Sequence, residues 1–353
     1  MAVPRSQLVD PGRSGCYHLV SRCVRRAFLC GDGQEHRRQW IEDGLKLSAS
    51  AFAVDILAFA VMSNHMHVVV RTDPERAQAW SDREVTERWA RLFPLTDTAT
   101  DEAMPWPQET IERYAADTEW VAIRRSRLAS LSWLMRLLKQ RIARRANRED
   151  DCRGHFWEGR FTSVPLLDQG ALIACMVYND LNPIRAGMAT TLEDSDHTSV
   201  QRRIHARQAH HQACLLIEQQ HLGTLPPDEQ ATVRGQAADG PEQGLWIAPM
   251  ARTRMSNHHP AIDLDDYLQL VERTGRLLVK GKRGAIPAEC LPLFERLGLD
   301  AERWLAVMTG DRSFLGSAVG SLWHLVREAA QRGSQWIAET TAIHRRRRRP
   351  ATG

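Results

Sequence analysis

Phe52-Ala53-Val54-Asp55-Ile56-Leu57-Ala58-Phe59-Ala60-Val61-Met62-Ser63-Asn64-His65-Met66-His67-Val68-Val69-Val70-Arg71 reads as two strands and a turn. The run 52–62 is too rich in Val, Ile and Phe for a surface helix, and it predicts a buried strand. Ser63-Asn64 is a tight turn, and His65 to Arg71 is a second strand, so the pair is an antiparallel hairpin. Upstream, Gly15 supplies turn chemistry before a strand over 16–23. Gly31-Asp32-Gly33 breaks the chain. Trp40, Ile41, Leu45 and Leu47 then predict a helix over 34–48.

The remainder predicts mostly helix. From 73 to 119 the periodicity fades, and residues 96–119 hold seven acids and one Arg, with Pro105 and Pro107. That segment predicts an acidic insertion, either loop or mobile helix. The charge then inverts: residues 120–148 contain nine basic residues and no acid. Leu128, Leu131, Leu134, Met135, Leu138 and Ile142 recur there at helical spacing, predicting one amphipathic helix. Residues 147–154 read as a polar loop and 156–165 as a strand. Asp168 is the expected N-cap of a helix from Gln169 to Leu181, which Asn182-Pro183 ends. Residues 201–244 read as a helix plus linker, and 261–340 as short helices. The expected domains are a catalytic module over 1–195 with its insertion at about 73–119, and a helix and linker over 196–260. A small helical domain over 261–343 and a basic disordered tail over 344–353 follow.

Composition bounds the function. A chain of 353 residues with 43% hydrophobic residues can bury a core, which excludes wholesale disorder. No apolar run reaches the roughly 18–20 residues of a membrane span. Residues 1–11 lack a signal-peptide core, so a cytoplasmic protein is expected. Net charge is only +4, and just four of the 47 basic residues are lysine. Arginine forks phosphate, but GC-rich coding yields the same bias and is the simpler cause. The seven cysteines form no C-x-x-C pair, so reduced, buried thiols are expected.

Three features carry chemistry. His65 and His67 stand two apart on a strand, so both imidazoles point one way and suit a shared metal. Two unrelated surface histidines remain the competing reading, because so short a motif arises by chance. Tyr178 and Asn182 stand four apart on a helix. A tyrosine hydroxyl there can attack phosphorus, and an Asn oxygen beside it can ligate or orient a metal. A core tyrosine with an Asn cap is equally compatible. The third is the basic helix, with Arg124, Arg125, Arg127, Arg136, Lys139, Arg141, Arg144 and Arg145. So many cations without an acid repel one another unless phosphate neutralises them. A solvated face is the alternative. Together these suggest a metal-assisted attack of tyrosine on a phosphodiester.

Strand–helix–strand–turn–His-x-His, a basic helix and Tyr-x-x-x-Asn-Pro, in that order, resemble the single-tyrosine transposases of the HUH nuclease superfamily. Within it, the chain looks most like the REP-associated tyrosine transposases. The likeness covers roughly residues 12–190 and rests on four stretches. They are Gly15-Cys16-Tyr17-His18-Leu19-Val20-Ser21-Arg22, Met62-Ser63-Asn64-His65-Met66-His67, Phe156-Trp157-Glu158-Gly159-Arg160-Phe161, and Tyr178 through Asn182-Pro183 to Arg185-Ala186-Gly187. The resemblance implies an α+β, ferredoxin-like antiparallel sheet with packed helices and the histidines on a central strand. It implies His65, His67 and Asn182 as metal ligands, with Met66 as the hydrophobic middle residue, and Tyr178 as the nucleophile. Some relatives carry Gln where Asn182 stands. It further implies Mg²⁺ or Mn²⁺, although imidazole alone favours Zn²⁺. The expected partner is single-stranded DNA near hairpins, cleaved through a 5′-phosphotyrosyl intermediate, with Arg160 joining the basic helix in DNA binding. A homodimer is compatible with it. The acidic insertion and about 150 further C-terminal residues depart from small relatives. Two other readings compete: a catalytically silent DNA-binding or regulatory protein, and a small-substrate metal hydrolase. Among enzymes of the leading kind, one serving the host by processing repeats is the variant to a mobile-element transposase.

Overall fold

The computed structural model describes residues 9–10, 12–97, 102–218, 225–238, 241–242, 244–250 and 260–278. It is an α+β protein with a four-stranded antiparallel sheet and packed helices. The elements are β1 (Gly15–Arg22), α1 (His36–Ala51), β2 (Val54–Val61), β3 (His65–Thr72), α2 (Pro74–Ala79), α3 (Asp82–Leu92), β4 (Leu95–Thr96), β5 (Ala103–Met104), α4 (Gln108–Ala115), α5 (Thr118–Leu128) and α6 (Leu131–Glu149). They continue as β6 (Thr162–Leu166), α7 (Gln169–Asp180), α8 (Asn182–Arg185), α9 (Ser199–Glu218), α10 (Pro227–Ala238) and α11 (Leu264–Leu278). The sheet order is β2-β3-β1-β6, so β3 is interior, as expected for the strand bearing the histidines. β1 runs antiparallel to both β3 and β6. β4 and β5 form a separate two-stranded ribbon.

The chain divides into two compact units. The first holds 1–56 and 61–166; the second holds 57–60 and 167–353. That division falls at 166 rather than at the expected 195. The physical reason is packing, since α7 contacts α8 and α11, and α11 also contacts α9. Of the expected 261–343 domain, α11 packs within this second unit. Residues 279–353, including the basic tail, lie outside the described residues.

In the first unit the sheet face bearing Tyr17, Leu19, Met66, Val68 and Val70 is buried. Alternation explains it, since successive strand residues point to opposite faces. α1 packs on α6, with Ile41 and Leu45 buried, as are Leu134, Met135, Leu138 and Ile142. Gly44 marks a close approach: a Cβ there would lie 2.5 Å from Leu138 Cδ1. The fully buried Arg37 clips the same two helices. Its Nε donates to Glu149 at 2.7 Å, its other nitrogens reach Asp150 and the Leu29 carbonyl.

Two expectations are corrected and a third is resolved. The single helix over 120–148 is two, α5 and α6, because Ser130 accepts from the Trp133 N–H and caps a new helix. The segment 73–119, left open as loop or mobile helix, carries the helices α2, α3 and α4. Asp73 and Ser81 cap α2 and α3 through the Arg76 and Glu84 N–H groups, and α3 packs on α4 and α5. The strand expected over 156–165 is confined to Thr162–Leu166. Its first part instead makes isolated contacts past the end of β1: Cys23 bridges Trp157, and Glu158 N–H donates to the Arg22 carbonyl at 2.9 Å.

Removing Arg37 takes the guanidinium from Asp150 and from Glu149, which keeps its contact with His36 at 2.6 Å. Arg37→Ala is expected to lower unfolding free energy by about 2–3 kcal/mol, at or below the usual cost of breaking a buried pair because Glu149 and Asp150 stay within reach of water. Urea unfolding checks this, with Arg83→Ala on an exposed face as the neutral comparison.

Candidate metal and tyrosine site

The turn between β2 and β3 is clamped from one side. Cys30 N–H donates to the Ser63 carbonyl and Cys23 N–H to the Asn64 carbonyl, both at 2.8 Å. Gly31 lies against Ser63 so closely that a Cβ would sit 2.7 Å from the serine Cβ. Asn64 Nδ2 donates to the Arg26 carbonyl at 3.0 Å. A carbonyl only accepts, so this bond fixes the amide and leaves Oδ1 as the atom facing His65.

His65 Nδ1 lies 2.6 Å from that Oδ1. An amide oxygen only accepts, so Nδ1 carries the proton. In a neutral imidazole Nε2 then holds the lone pair, the form that binds metals. His65 is held neutral: burial, and secondarily the charge of Arg22, lower its pKa to about 4.

His67 is buried and its ring lies edge-on to that of His65, with centroids 4.9 Å apart. Its Nδ1 is 2.9 Å from Nε2 of His18 on β1, and the two rings stack at 5.1 Å. The register explains the contact. Val20 faces His67 and His18 faces Val69, so His18 is the diagonal neighbour of His67 on the same sheet face. Burial lowers the His18 pKa to about 4, so His18 stays neutral. Holding one ring nitrogen while the other faces a metal is the usual second layer of a histidine site. Two imidazoles on one strand face with engaged Nδ1 atoms fit a divalent cation. Among the described residues no group of three or more His, Cys, Asp or Glu side chains could hold a metal ion. A third protein ligand would therefore have to be of another type.

Tyr178 and Asn182 belong to the second unit, His65 and His67 to the first. Asp168 accepts from the Ala171 N–H and caps α7, as its sequence predicts. The helix ends at Asp180, and Leu181 joins it to α8, with Pro183 in the first turn. The four-residue spacing from Tyr178 to Asn182 therefore crosses a joint between two helices rather than one turn of a single helix. Tyr178 is half-buried, with the Arg185 guanidinium 5.0 Å from its ring centroid. Asn182 is buried, and its Nδ2 has no hydrogen-bond partner among the described residues.

Asp180, between them, was given no role by the sequence. It is fully buried, accepting from Ser199 Oγ at 2.5 Å, Val200 N–H at 3.0 Å and Tyr267 Oη at 2.5 Å. Desolvation raises its pKa to about 6 against those hydrogen bonds and the charge of Arg203. Arg203 itself donates to the Leu57 and Ala248 carbonyls, both at 2.9 Å, and pairs with Glu242. This network fixes the end of α7 two residues beyond Tyr178.

The basic residues do not form one face. Arg125 is spent internally, donating to the Ala77 and Trp80 carbonyls and to Asp82. Arg141 donates to the Leu92 carbonyl, and Lys139 to the Gly159 carbonyl at 2.5 Å. Arg145 stacks on Trp40 at 3.9 Å. Arg144 and Arg160 are exposed. Arg124, Arg127 and Arg136 stack on tryptophans.

No known family profile matches the chain, and no curated protein does. Among solved structures, one REP-associated tyrosine transposase bound to a REP hairpin aligns with 58% of this chain and 86% of its own. The identity is 14% and the TM-score 0.33, too low to establish a common fold.

The lowered histidine pKa values set a pH dependence. Below about 6.5 the unfolded chain takes protons that folded His18 and His65 refuse until about 4. Their contribution is present above that window and lost as pH falls through it. Denaturant midpoints for the wild type are expected to drop between pH 6.5 and 4, and to drop less for His65→Asn.

Proposed function

We propose that this protein is a metal-dependent, single-stranded DNA endonuclease and strand transferase of the single-tyrosine HUH kind. The observation that carries the reading is the fixed tautomer of His65, set beside His67 on one strand face. The β-α-β-β-α-β order of the sheet and its crossing helices, counting the strands as β1, β2, β3 and β6, agrees with a ferredoxin-like domain.

On this reading His65 and His67 would hold Mg²⁺ or Mn²⁺, with Asn182 the proposed third protein ligand. When bound, the cation would neutralise charge on the scissile phosphate and stabilise the leaving oxygen. In this scheme Asn64 orients the His65 ring and His18 the His67 ring; neutral imidazole is the form that binds a metal. Tyr178 supplies the nucleophile. Its phenolic oxygen bonds to phosphorus as the P–O3′ bond breaks, the phenolic proton is released, and the departing 3′ oxygen takes up a proton. The product is a 5′-phosphotyrosyl link and a free 3′-hydroxyl, and the reverse attack rejoins strands without outside energy. Asp180, anchored by Ser199 and Tyr267, holds the end of α7 still during that exchange. DNA hairpins are the proposed substrate, in the cytoplasm, and a homodimer is compatible with the scheme.

Incubation with end-labelled single-stranded hairpin DNA and Mg²⁺ or Mn²⁺, followed by a denaturing gel, tests the scheme. Wild type should yield a covalent adduct. Tyr178→Phe should yield none, and His65→Ala or His67→Ala should reduce it at least 100-fold. An equal adduct from Tyr178→Phe would exclude the tyrosine mechanism.

A further inference from the structure

The first unit carries a feature that the catalytic scheme does not use. Along α5 and α6, cations and indoles alternate. Arg124 lies 4.3 Å from the Trp120 ring centroid and 5.5 Å from that of Trp89. Arg127 lies 5.9 Å from Trp89 and 4.3 Å from Trp133. Arg136 lies 4.9 Å from Trp133. Trp89 is edge-on to both Trp120 and Trp133, at 6.4 and 6.3 Å. The order is Trp120, Arg124, Trp89, Arg127, Trp133, Arg136.

A guanidinium stacked on an indole uses its flat face, while its N–H donors lie in its own plane and remain available to a second partner. Neighbouring arginines on the same elements are committed to acids: Arg83 to Glu87, Arg88 to Glu84, Arg125 to Asp82. Arg124, Arg127 and Arg136 make no such pair among the described residues, and Arg124 Nε is buried without a hydrogen-bond partner. Asp117 is the acid whose charge reaches Arg124. Glu109 and Glu112 lie on α4, and Asp117 and Glu119 lie at the start of α5, which leaves the α6 end of the row basic. Stacking also restrains side chains that would otherwise lose much rotamer entropy on binding.

We infer that Arg124, Arg127 and Arg136, held in place by Trp89, Trp120 and Trp133, form a preorganised clamp for consecutive phosphates of a DNA strand. Recognition is of the phosphodiester backbone, which guanidinium forks match bidentately, and is indifferent to base sequence. The inference rests on the DNA reading above but not on metal or on Tyr178.

Binding is therefore measured without metal on the Tyr178→Phe chain, with a twenty-nucleotide oligothymidylate and a hairpin stem, across a salt series. Arg124→Gln/Arg127→Gln/Arg136→Gln should flatten the slope of log K against log salt by about 2 on the single strand and about 3 on the stem. The probe that wild type binds more tightly identifies the strand form. Trp120→Leu/Trp133→Leu keeps every charge and should weaken binding about fivefold through lost stacking. Arg83→Gln should change nothing. Protection of the three arginines from phenylglyoxal by DNA, read by peptide mass spectrometry on the unmutated row, gives the same answer without a folding question. An unchanged slope, or three arginines equally modified with and without DNA, overturns the clamp while leaving DNA binding intact. No binding by the parent chain overturns both.

Discussion

Val20 stands opposite His67 across the β1–β3 ladder, and much of the site follows from that pairing. It brings His18 diagonally against His67, close enough for one ring nitrogen to hold the other. A slip of one residue would send His18 to the opposite sheet face, where Tyr17, Leu19 and Ser21 now pack, and break the contact. The register is itself held by the apolar face, because Leu19, Met66, Val68 and Val70 are buried together. Core packing thus sets which rings meet on the other face of the same strands. The turn clamp works toward the same end. Asn64 can accept from His65 only because its amide nitrogen is engaged by the Arg26 carbonyl.

The second unit is organised around a buried carboxylate. Asp180 draws three donors from α9 and α11, so residues far along the chain determine where α7 stops. The α11 helix, which has no evident chemistry of its own, is thereby tied to the segment bearing Tyr178. A carboxyl whose burial raises its pKa to about 6 changes charge within a mildly acidic range; the raised value means that the fold favours its protonated form, so ionisation above about 6 carries a desolvation cost that the three donors only partly offset.

The hairpin at 52–71 was legible from its apolar runs and turn, α1 from its periodicity, and α7 from the Asp168 cap and the Asn182-Pro183 stop; β2, β3 and α7 are buried along nearly their whole length. The break at Ser130 was invisible to the same logic. Apolar spacing runs through it unbroken, and a serine can cap or can sit on a helix surface. The segment 73–119 left loop and helix both open for a related reason. Its helices are short, and they owe their order to the Asp73, Ser81 and Asp117 caps and to packing rather than to a long apolar stripe. His65 and His67 were found because they share one strand. His18 was quoted with its motif but received no role, since only the inter-strand register shows that it meets His67. Arg125 and Arg141 show the opposite limit. Their sequence context is that of a phosphate-binding face, yet their donors are consumed by carbonyls of other elements.

The central claim is that one particular tyrosine takes up the DNA strand, and the chain contains only four: Tyr17, Tyr114, Tyr178 and Tyr267. The most direct test is tandem mass spectrometry of the protein after reaction with a single-stranded hairpin and digestion of the attached DNA. The expected result is a nucleotide mass on the peptide containing Tyr178 and on no other. A nucleotide on Tyr17, Tyr114 or Tyr267, or cleaved DNA with no modified tyrosine, would contradict the account.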